Sequence, residues 1–180
     1  MQIRIISGKF GGRVIDGSDT DKTHPMSERV RNALFNMLGD EIKDAKVLDA
    51  FAGSGALGLE ALSRGAKHIT FIERDRIAQK IIGKNIEALD VKNHTKLINA
   101  SISQYFSTTS DTFDIIFADP PYHDMQLSTV TKLFGLLKPN ALMVLSYPDG
   151  SEVPTETTVV VVDNRSYGNA ALAFYRRKDA

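Results

Sequence analysis

The chain has 180 residues, of which 42% are hydrophobic, so it is long and apolar enough to bury one full core. Its 22 basic and 22 acidic residues cancel, so the net charge argues neither for nor against a nucleic-acid partner. The lack of cysteine excludes disulfides, a thiolate nucleophile and a cysteine-based zinc site, and no apolar run reaches the roughly 20 residues of a membrane span. Because the sequence shows no signal-peptide pattern, we expect a cytoplasmic protein.

The first segment predicts a small β-hairpin. Residues 2–7 and 12–15 have strand character and flank a glycine-containing turn. Residues 1–15 contain three cations and no acid, so the hairpin is a candidate basic patch. These cations are Arg4, Lys9 and Arg13. We expect this extension, over residues 1–22, to lie outside the main core.

A helix is predicted next, with Ser27 as its N-cap. Its apolar residues recur on one face, at the spacing of a helix that packs against a core. They are Val30, Ala33, Leu34, Met37 and Leu38. Arg29 and Arg31 fall on the opposite, polar face, where they would add two cations to the surface near the hairpin.

Five short apolar runs follow and alternate with stretches of helical spacing. They lie at residues 46–50, 68–72, 95–98, 113–118 and 141–146. Strand and helix repeated in this order predict a parallel sheet that is covered on both faces.

The C-terminal part predicts one more helix and then a change of strand direction. The apolar face of that helix comprises Leu127, Val130, Leu133, Phe134 and Leu137. Pro139 marks a point by which the helix must have ended. Residues 157–162 and 171–176, joined by a turn around Gly168, predict an antiparallel pair that closes the sheet.

The first chemical motif, at residues 47–58, is a strand that runs into a glycine-rich turn and a helix. Such glycines let the backbone turn tightly and approach a ligand, and the free N–H groups at the helix start attract negative charge. The spacing of Gly53, Gly55 and Gly58 also fits a dinucleotide-binding turn. Glu73, at the end of the next strand, is placed to bind a ribose. The loop predicts a nucleotide-type cofactor without choosing which one.

The second motif is the sequence Asp119, Pro120, Pro121 and Tyr122, at the end of the fourth strand, which faces the cofactor crevice in a doubly wound sheet. Two consecutive prolines make this segment stiff and extended. An amino group on a base ring is a poor nucleophile because its lone pair is delocalised. The Asp119 carboxylate and the Pro120 carbonyl could accept its two N–H bonds and direct the lone pair at an electrophilic methyl. Tyr122 offers an aromatic face for an unstacked base.

An Asp-Pro-Pro-Tyr motif at this strand end resembles the catalytic motif of the amino-group methyltransferases of DNA and RNA bases. More narrowly, the chain resembles the bacterial small-subunit (16S) ribosomal RNA guanine-N2 methyltransferases, in residues 4–13, 25–31, 33–36 and 51–62. The resemblance implies an α/β, Rossmann-like class I methyltransferase fold. That fold has a seven-stranded, mostly parallel sheet with an antiparallel C-terminal strand, plus the N-terminal hairpin. The chain would be a single domain, residues 1–180, with its catalytic core at 27–180.

The same resemblance implies S-adenosylmethionine as the methyl donor, S-adenosylhomocysteine as the product, and no metal. The implied cofactor-binding residues are Asp49, Phe51, Gly53, Ser54, Gly55, Gly58, Glu73, Arg74, Ser101 and Ile102. The implied catalytic residues are Asp119, Pro120, Pro121 and Tyr122. The implied RNA-binding residues are Arg4, Lys9, Arg13, Arg29 and Arg31. The four histidines, His24, His68, His94 and His123, show no metal-ligand spacing.

The expected partner is 16S ribosomal RNA in an assembling or assembled small subunit, bound by a monomer without contact to a membrane. Three alternatives stay open. A DNA adenine-N6 or cytosine-N4 methyltransferase would use the same chemistry but usually needs a separate target-recognition region. A nicotinamide oxidoreductase would use the glycine loop but leaves Asp119 and Tyr122 unexplained. A non-catalytic module that binds S-adenosylmethionine and RNA would not need an intact Asp119 motif.

Overall fold

The computed structural model describes residues 1–18 and 25–179. Its strands are β1 (Gln2–Arg4), β2 (Val14–Asp16), β3 (Lys46–Asp49), β4 (His68–Glu73), β5 (Thr95–Asn99), β6 (Phe113–Ala118), β7 (Leu137–Pro148), β8 (Val159–Tyr167) and β9 (Ala170–Arg177). Strands β1 and β2 form a two-stranded antiparallel sheet, and the others form a seven-stranded sheet in the order β5-β4-β3-β6-β7-β9-β8. Strands β3 to β7 are parallel, whereas β9 pairs antiparallel with β7 and with β8.

Side-chain caps fix where several of the helices begin. The helices are α1 (Glu28–Leu38), α2 (Ala56–Ser63), α3 (Arg76–Leu89), α4 (Ile102–Thr108) and α5 (Leu127–Leu133). Ser27 Oγ accepts the Val30 N–H at the start of α1, as predicted, and a carboxylate oxygen of Asp75 caps α3. Each cap gives a partner to an N–H group that the helix itself cannot satisfy.

The seven-stranded sheet is buried on both faces, because successive strand residues point into two different apolar clusters. Val47 lies in one cluster and Leu48 in the other, and Ile115 and Ile116 are divided in the same way. Helices α1, α2 and α3 contribute to the first cluster, and α4 and α5 contribute to the second. This arrangement explains why the central strands read as continuous apolar runs.

The N-terminal hairpin lies outside the large sheet but is packed against the body of the protein. Ile3 pairs with Ile15 across the hairpin, and both side chains are buried together with Ile5 and Phe10. All four belong to the apolar cluster that contains α1, α2 and α3. The hairpin is therefore held in place by the same core as the helices.

The predicted fold class is confirmed, including the parallel strands, the antiparallel C-terminal strands and the separate hairpin. One local prediction is wrong: Leu137 does not lie on a helix face but begins β7. Apolar spacing alone cannot distinguish a buried strand start from a helix end. The register of β7 against β6 shifts between the pairs made by Leu137 and Leu142. This interval contains Pro139, which has no N–H to donate to a ladder. The predicted boundary of the extension, at residue 22, lies outside the described residues, and so does His24.

The order of the strands places a crevice at the carboxyl ends of β3 and β6. The chain passes from β3 to β4 on one side, whereas β6 pairs with β3 on the other side. Ligands of doubly wound sheets bind at such a switch in strand order. Across the described residues, no helix is long and apolar enough to cross a membrane.

The close packing around Gly58 predicts that a larger residue there lowers the stability of the fold. A Cβ atom at Gly58 would lie 2.3 Å from Cε1 of Phe71 and 2.7 Å from Cγ2 of Ile69, so α2 could not stay against β4 without a shift. We expect Gly58→Ala to lower the free energy of unfolding by about 1–3 kcal/mol. Gly83→Ala is the matched control within α3, because its Cβ would meet nothing within 4 Å. It should instead stabilise by about 0.5–1 kcal/mol. Equal effects in urea denaturation would contradict the packing role of Gly58.

Candidate active site

A cavity of about 1010 Å³ opens at the carboxyl ends of the parallel strands. The glycine loop after β3 lines one side, and residues 119–122 line another. The turn between β8 and β9 also contributes to the wall, through Tyr167, Asn169 and Ala170. Pockets for small ligands typically measure roughly 300–1,000 Å³, so this cavity is at the upper end of that range.

The three glycines of the loop have different surroundings. Gly53 lines the cavity with a φ of 57°, and a Cβ atom there would meet nothing within 4 Å. Gly55 also has a positive φ, 85°, but its Cβ would face the buried side chains of Phe71 and Ile82. Among the residues described, the cavity wall includes Gly53 and Ser54 but neither Gly55 nor Gly58. The last two glycines therefore pack behind the loop, and their predicted contact with a cofactor stays a prediction.

Asp49, at the end of β3, presents an unsatisfied carboxylate oxygen in the cavity. The residue is only 1% exposed, and its Oδ2 atom accepts the Gly58 N–H at 3.1 Å. Its Oδ1 atom is buried and has no hydrogen-bond partner among the described residues. Burial raises the pKa of Asp49 to about 7, and the nearby charges of Asp119 and Glu73 add to this rise. Such a carboxylate suits a ligand that brings positive charge and N–H donors.

Glu73, at the end of β4, joins the glycine loop to the start of α3. One of its carboxylate oxygens accepts the Gly53 N–H at 2.7 Å, and the other accepts the Asp75 N–H at 2.9 Å. Each oxygen keeps a further acceptor site, so ribose hydroxyls could still bind there. The exposed Arg74 and the half-buried Phe51 also line the cavity.

The N-terminus of α4 closes the cavity near Glu73. Ser101 and Gln104 form a reciprocal capping box, in which each side chain accepts a backbone N–H of the other. Ser101 thus orders the turn between β5 and α4. The next residue, Ile102, is buried and adds an apolar surface to the cavity.

The Asp-Pro-Pro-Tyr segment follows β6 and faces the glycine loop across the switch in strand order. Burial raises the pKa of Asp119 to about 6, and a hydrogen bond with Ser146 moderates this rise. Pro120 is buried, whereas Tyr122 is 40% exposed. The Tyr122 hydroxyl lies 2.7 Å from Ser146 Oγ. The segment therefore combines a desolvated carboxylate with a tethered aromatic ring at the cavity mouth.

Several cavity residues were not predicted from the sequence. Ser146 reaches the cavity from β7, and Tyr167 and Asn169 reach it from the β8–β9 turn. Their positions depend on long-range pairing of β7 with β6 and β9, which leaves no local motif. The sequence predicted the turn around Gly168, but no sequence pattern linked that turn to residues 119–122.

The predicted RNA-binding residues divide into two groups. Arg4 is exposed and pairs with Glu28 at 2.6 Å, and Arg13 donates to the Ala88 carbonyl at the surface. Lys9 lies near the Phe10 ring, and Arg29 is exposed on α1. These four residues keep their cationic groups at or near the surface.

Arg31 requires a correction, because it does not lie on the polar face of its helix. It is only 2% exposed, donates to the Arg4 carbonyl and lies 3.5 Å from the buried carboxylate of Glu60. Burial lowers its pKa, against the opposing effect of Glu60. Arg31 thus forms a buried ion pair in this structure, and its predicted contact with RNA stays a prediction. Helical periodicity could not reveal this, since Glu60 lies on a different helix.

The part of the chain that the structure describes contains no group of three or more His, Asp or Glu side chains that could hold a metal ion. His68 lies at the start of β4, His94 precedes β5 and His123 follows the Asp-Pro-Pro-Tyr segment.

Comparison with known proteins adds independent information. The family model described as "Conserved hypothetical protein 95" matches residues 3–176. The "Ribosomal RNA small subunit methyltransferase D" of Escherichia coli (strain K12) is 38% identical, covering 86% of this chain and 79% of that protein. The protein of the same name from Haemophilus influenzae is 34% identical and covers 93% of this chain and 94% of the relative. The solved structure of "Putative methyltransferase yhhF from Escherichia coli" is 34% identical, with a TM-score of 0.90 and full coverage of both chains. These relatives confirm the family resemblance predicted from the sequence.

The buried Asp49 carboxylate predicts a particular dependence of stability on pH. Because folding raises its pKa from 3.8 to about 7, the folded state binds a proton more tightly than the unfolded state. The free energy of unfolding should fall as pH rises from about 4 to about 7, by at most about 1.4 kcal/mol per unit of pKa shift. Asp49→Asn removes this contribution and should flatten the profile, which leaves the variant more stable than the wild type at about pH 8.

Asp124→Asn serves as the control, since Asp124 is exposed. Urea denaturation at several pH values gives the comparison. An Asp49→Asn profile that matches the wild type would show that the Asp49 carboxylate carries no desolvation cost.

Proposed function

The chain belongs to the family described as "Conserved hypothetical protein 95", and we propose that it transfers a methyl group from S-adenosylmethionine to the exocyclic N2 amine of a guanine in 16S ribosomal RNA. The observation that carries the proposal is the pairing of two elements in one cavity. Asp119 and the prolines after it lie on one side, and the unsatisfied Asp49 carboxylate lies by the glycine loop. The first suits an amine on a flat base, and the second suits a positively charged cofactor.

The residues of the glycine-loop side fit the cofactor by their chemistry. S-adenosylmethionine supplies an activated methyl group on a positively charged sulfonium. The free Oδ1 atom of Asp49 would accept N–H bonds from the amino-acid part of the cofactor, beside Gly53 and Ser54. Glu73 would bind the ribose hydroxyls, and the Ser101 turn with Ile102 would lie against the adenine.

The residues of the Asp119 side would act on the target amine. The Asp119 carboxylate and the Pro120 carbonyl each accept one N–H bond, which holds the nitrogen lone pair in a fixed direction. Fixing the amine in an aligned geometry can account for several kcal/mol of barrier lowering. As the methyl carbon leaves sulfur and bonds to nitrogen, positive charge develops on the nitrogen, and the adjacent Asp119 carboxylate would stabilise that charge. Loss of one amine proton to water would then leave neutral N2-methylguanine and S-adenosylhomocysteine.

Access to this site requires an unpaired nucleotide. A base within a helix cannot enter a closed cavity, so the guanine must be flipped out or already unstacked. The Tyr122 ring, exposed at the cavity mouth and tied to Ser146, offers a face for stacking. Lys9, Arg13 and Arg29 are candidates for contacts with phosphates around the flipped nucleotide. The chain would act as a monomer, in the cytoplasm, on an assembling or assembled small subunit.

Nucleoside analysis tests the reaction and its substrate. We expect cells that lack the gene to lose one N2-methylguanine from 16S ribosomal RNA, detected by nucleotide-resolved mass spectrometry. Purified enzyme should restore it on subunits from those cells, more efficiently than on stripped RNA and not on duplex DNA. Unchanged N2-methylguanine in the deletion strain would reject the substrate. Equal rates on stripped RNA would reject only the preference for the particle.

Substitution of Asp119 separates chemistry from cofactor binding. Asp119→Ala removes an acceptor for the amine but leaves the glycine-loop side intact. We expect methyl transfer to fall by roughly 10²-fold or more, the scale of losing one oriented group at the reacting centre. S-adenosylhomocysteine should still bind in titration calorimetry. Asp49→Asn should show the reverse pattern, with weaker cofactor binding in a folded protein. Near-normal turnover of Asp119→Ala would remove this residue from the mechanism.

A further inference from the structure

Gln126 lies in the wall of the cavity, but the proposed reaction gives it no role so far. It follows the Asp-Pro-Pro-Tyr segment and precedes α5. The Asp124 N–H donates to the Pro121 carbonyl at 3.0 Å, so the chain turns back after the motif and brings Gln126 to the cavity. Gln126 is half-buried, and its backbone carbonyl accepts the Val130 N–H at 2.9 Å. The backbone at this position is therefore held by the first turn of α5.

The backbone of Gln126 has a conformation that its residue type rarely adopts. Among the residues described, those other than glycine with a positive φ are Asp44, Asp90, Gln126 and Asn140. Aspartate and asparagine tolerate this region because their short side chains can bond to the nearby backbone, an advantage that glutamine lacks. Gln126, with a φ of 49°, is also the member of this group that lines the cavity. Backbone strain of this kind concentrates at functional sites, so it points to a role for the Gln126 side chain.

The carboxamide of Gln126 is available to a ligand. Its side chain makes no hydrogen bond within residues 1–18 and 25–179. A carboxamide carries an acceptor oxygen and a donor NH2 group side by side. The described cavity wall contains one other carboxamide, that of Asn169 on the β8–β9 turn, and Asn169 is exposed. Gln126 thus offers a half-buried donor and acceptor pair shortly after the Asp-Pro-Pro-Tyr segment.

The groups beside the exocyclic amine distinguish guanine from the other bases that carry one. In guanine, the amine is followed along the ring edge by the N1–H donor and then by the O6 acceptor. In adenine, the next ring nitrogen is an acceptor, and no carbonyl follows it. In cytosine, a carbonyl does follow, but the ring nitrogen between is again an acceptor. An N–H and a carbonyl beside the amine are therefore particular to guanine, and one carboxamide can pair with both.

We propose that Gln126 is a specificity-determining residue that selects guanine, with its side-chain oxygen accepting the N1–H and its NH2 group donating to O6. The inference rests on the proposed function, in which Asp119 and the Pro120 carbonyl hold the N2 amine. Those two acceptors suit the amine of any base, whereas Gln126 contacts the groups beside the amine. An adenine or a cytosine in the same place leaves at least one group of the carboxamide unpaired, which disfavours its binding.

Three substitutions separate this role from a structural one. Gln126→Gly removes the carboxamide and introduces the residue that adopts a positive φ most readily, so the midpoint of urea denaturation should not fall. Gln126→Glu keeps the size of the side chain and the acceptor for N1–H, but it places a second oxygen against O6. Asn169→Ala is the matched control, because it removes the other carboxamide of the described cavity wall. All three variants should bind S-adenosylhomocysteine as the wild type does in titration calorimetry.

Methyl transfer to a guanine analogue tests the proposal. Small subunits are assembled with 16S RNA in which the methylated guanine is replaced by 2-aminopurine, which keeps the exocyclic amine but lacks both N1–H and O6. The wild type should prefer guanine by about 10- to 100-fold in kcat/KM, the range for one bidentate pair. In Gln126→Gly and Gln126→Glu, kcat/KM for guanine should fall until this ratio is close to one, while kcat/KM for 2-aminopurine stays nearly unchanged. Asn169→Ala should keep the wild-type ratio.

The outcomes distinguish this inference from the proposed function. A wild type without preference for guanine, or an unchanged ratio in Gln126→Gly, overturns the role of Gln126 while methyl transfer itself still stands. Loss of the ratio in Asn169→Ala alone assigns the selection of guanine to Asn169 and also overturns the proposal. A wild type that methylates neither kind of subunit refutes the proposed function, and this inference with it.

Discussion

The site depends on two carboxylates at the ends of neighbouring strands, of which Asp49 is fully buried and Asp119 is half-buried. Asp49 ends β3 opposite Phe117 of β6, and Asp119 follows two residues later on the chain of β6. Burial raises both pKa values, to about 7 and about 6, and the charge of Asp119 adds to the rise at Asp49. A fold gains nothing from unpaired buried charge, so this arrangement destabilises the free protein and favours ligands with positive charge or N–H donors. A cationic methyl donor and an exocyclic amine supply both.

Another carboxylate ties the helix that follows the glycine loop to the N-terminal hairpin. Glu60, on the helix after the glycine loop, is fully buried and accepts the backbone N–H groups of Ile6 and Ser7 at 2.8 and 3.2 Å. Arg31 and Arg64 balance its charge. Removing one partner of such a group leaves an uncompensated buried charge, which costs several kcal/mol. The hairpin therefore cannot swing freely, and its cations keep a fixed position relative to the glycine loop.

The sequence predicted what local pattern determines and missed what depends on pairing between distant segments. Strand periodicity, the Ser27 cap and the two motifs identified the fold and the two facing sides of the cavity. The sequence placed Arg31 on the wrong face because its partner, Glu60, lies on another helix. The spacing of residues along one helix gives no information about partners on a different helix. No sequence pattern pointed to Ser146, since its place in the cavity wall depends on the register of β7 against β6. Long-range register and buried ion pairs are thus the information that the structure adds.

The distribution of charge bears on how a substrate could be selected. In the proposed function, Asp119 and Tyr122 would specify an amine on a flat ring and little else, so selection of one nucleotide would have to come from elsewhere. Of the predicted RNA-binding cations, Arg4 is paired with Glu28 and Arg31 with Glu60. Lys9, Arg13 and Arg29 have no carboxylate partner within residues 1–18 and 25–179. Each phosphate contact contributes about 0.7–0.9 to the salt slope of binding, so three such contacts on a chain of zero net charge give only weak, unselective attraction to RNA. A small surface of this kind discriminates best by shape. Under the proposed function, this favours a folded assembly that presents one splayed guanine over a free strand that presents many.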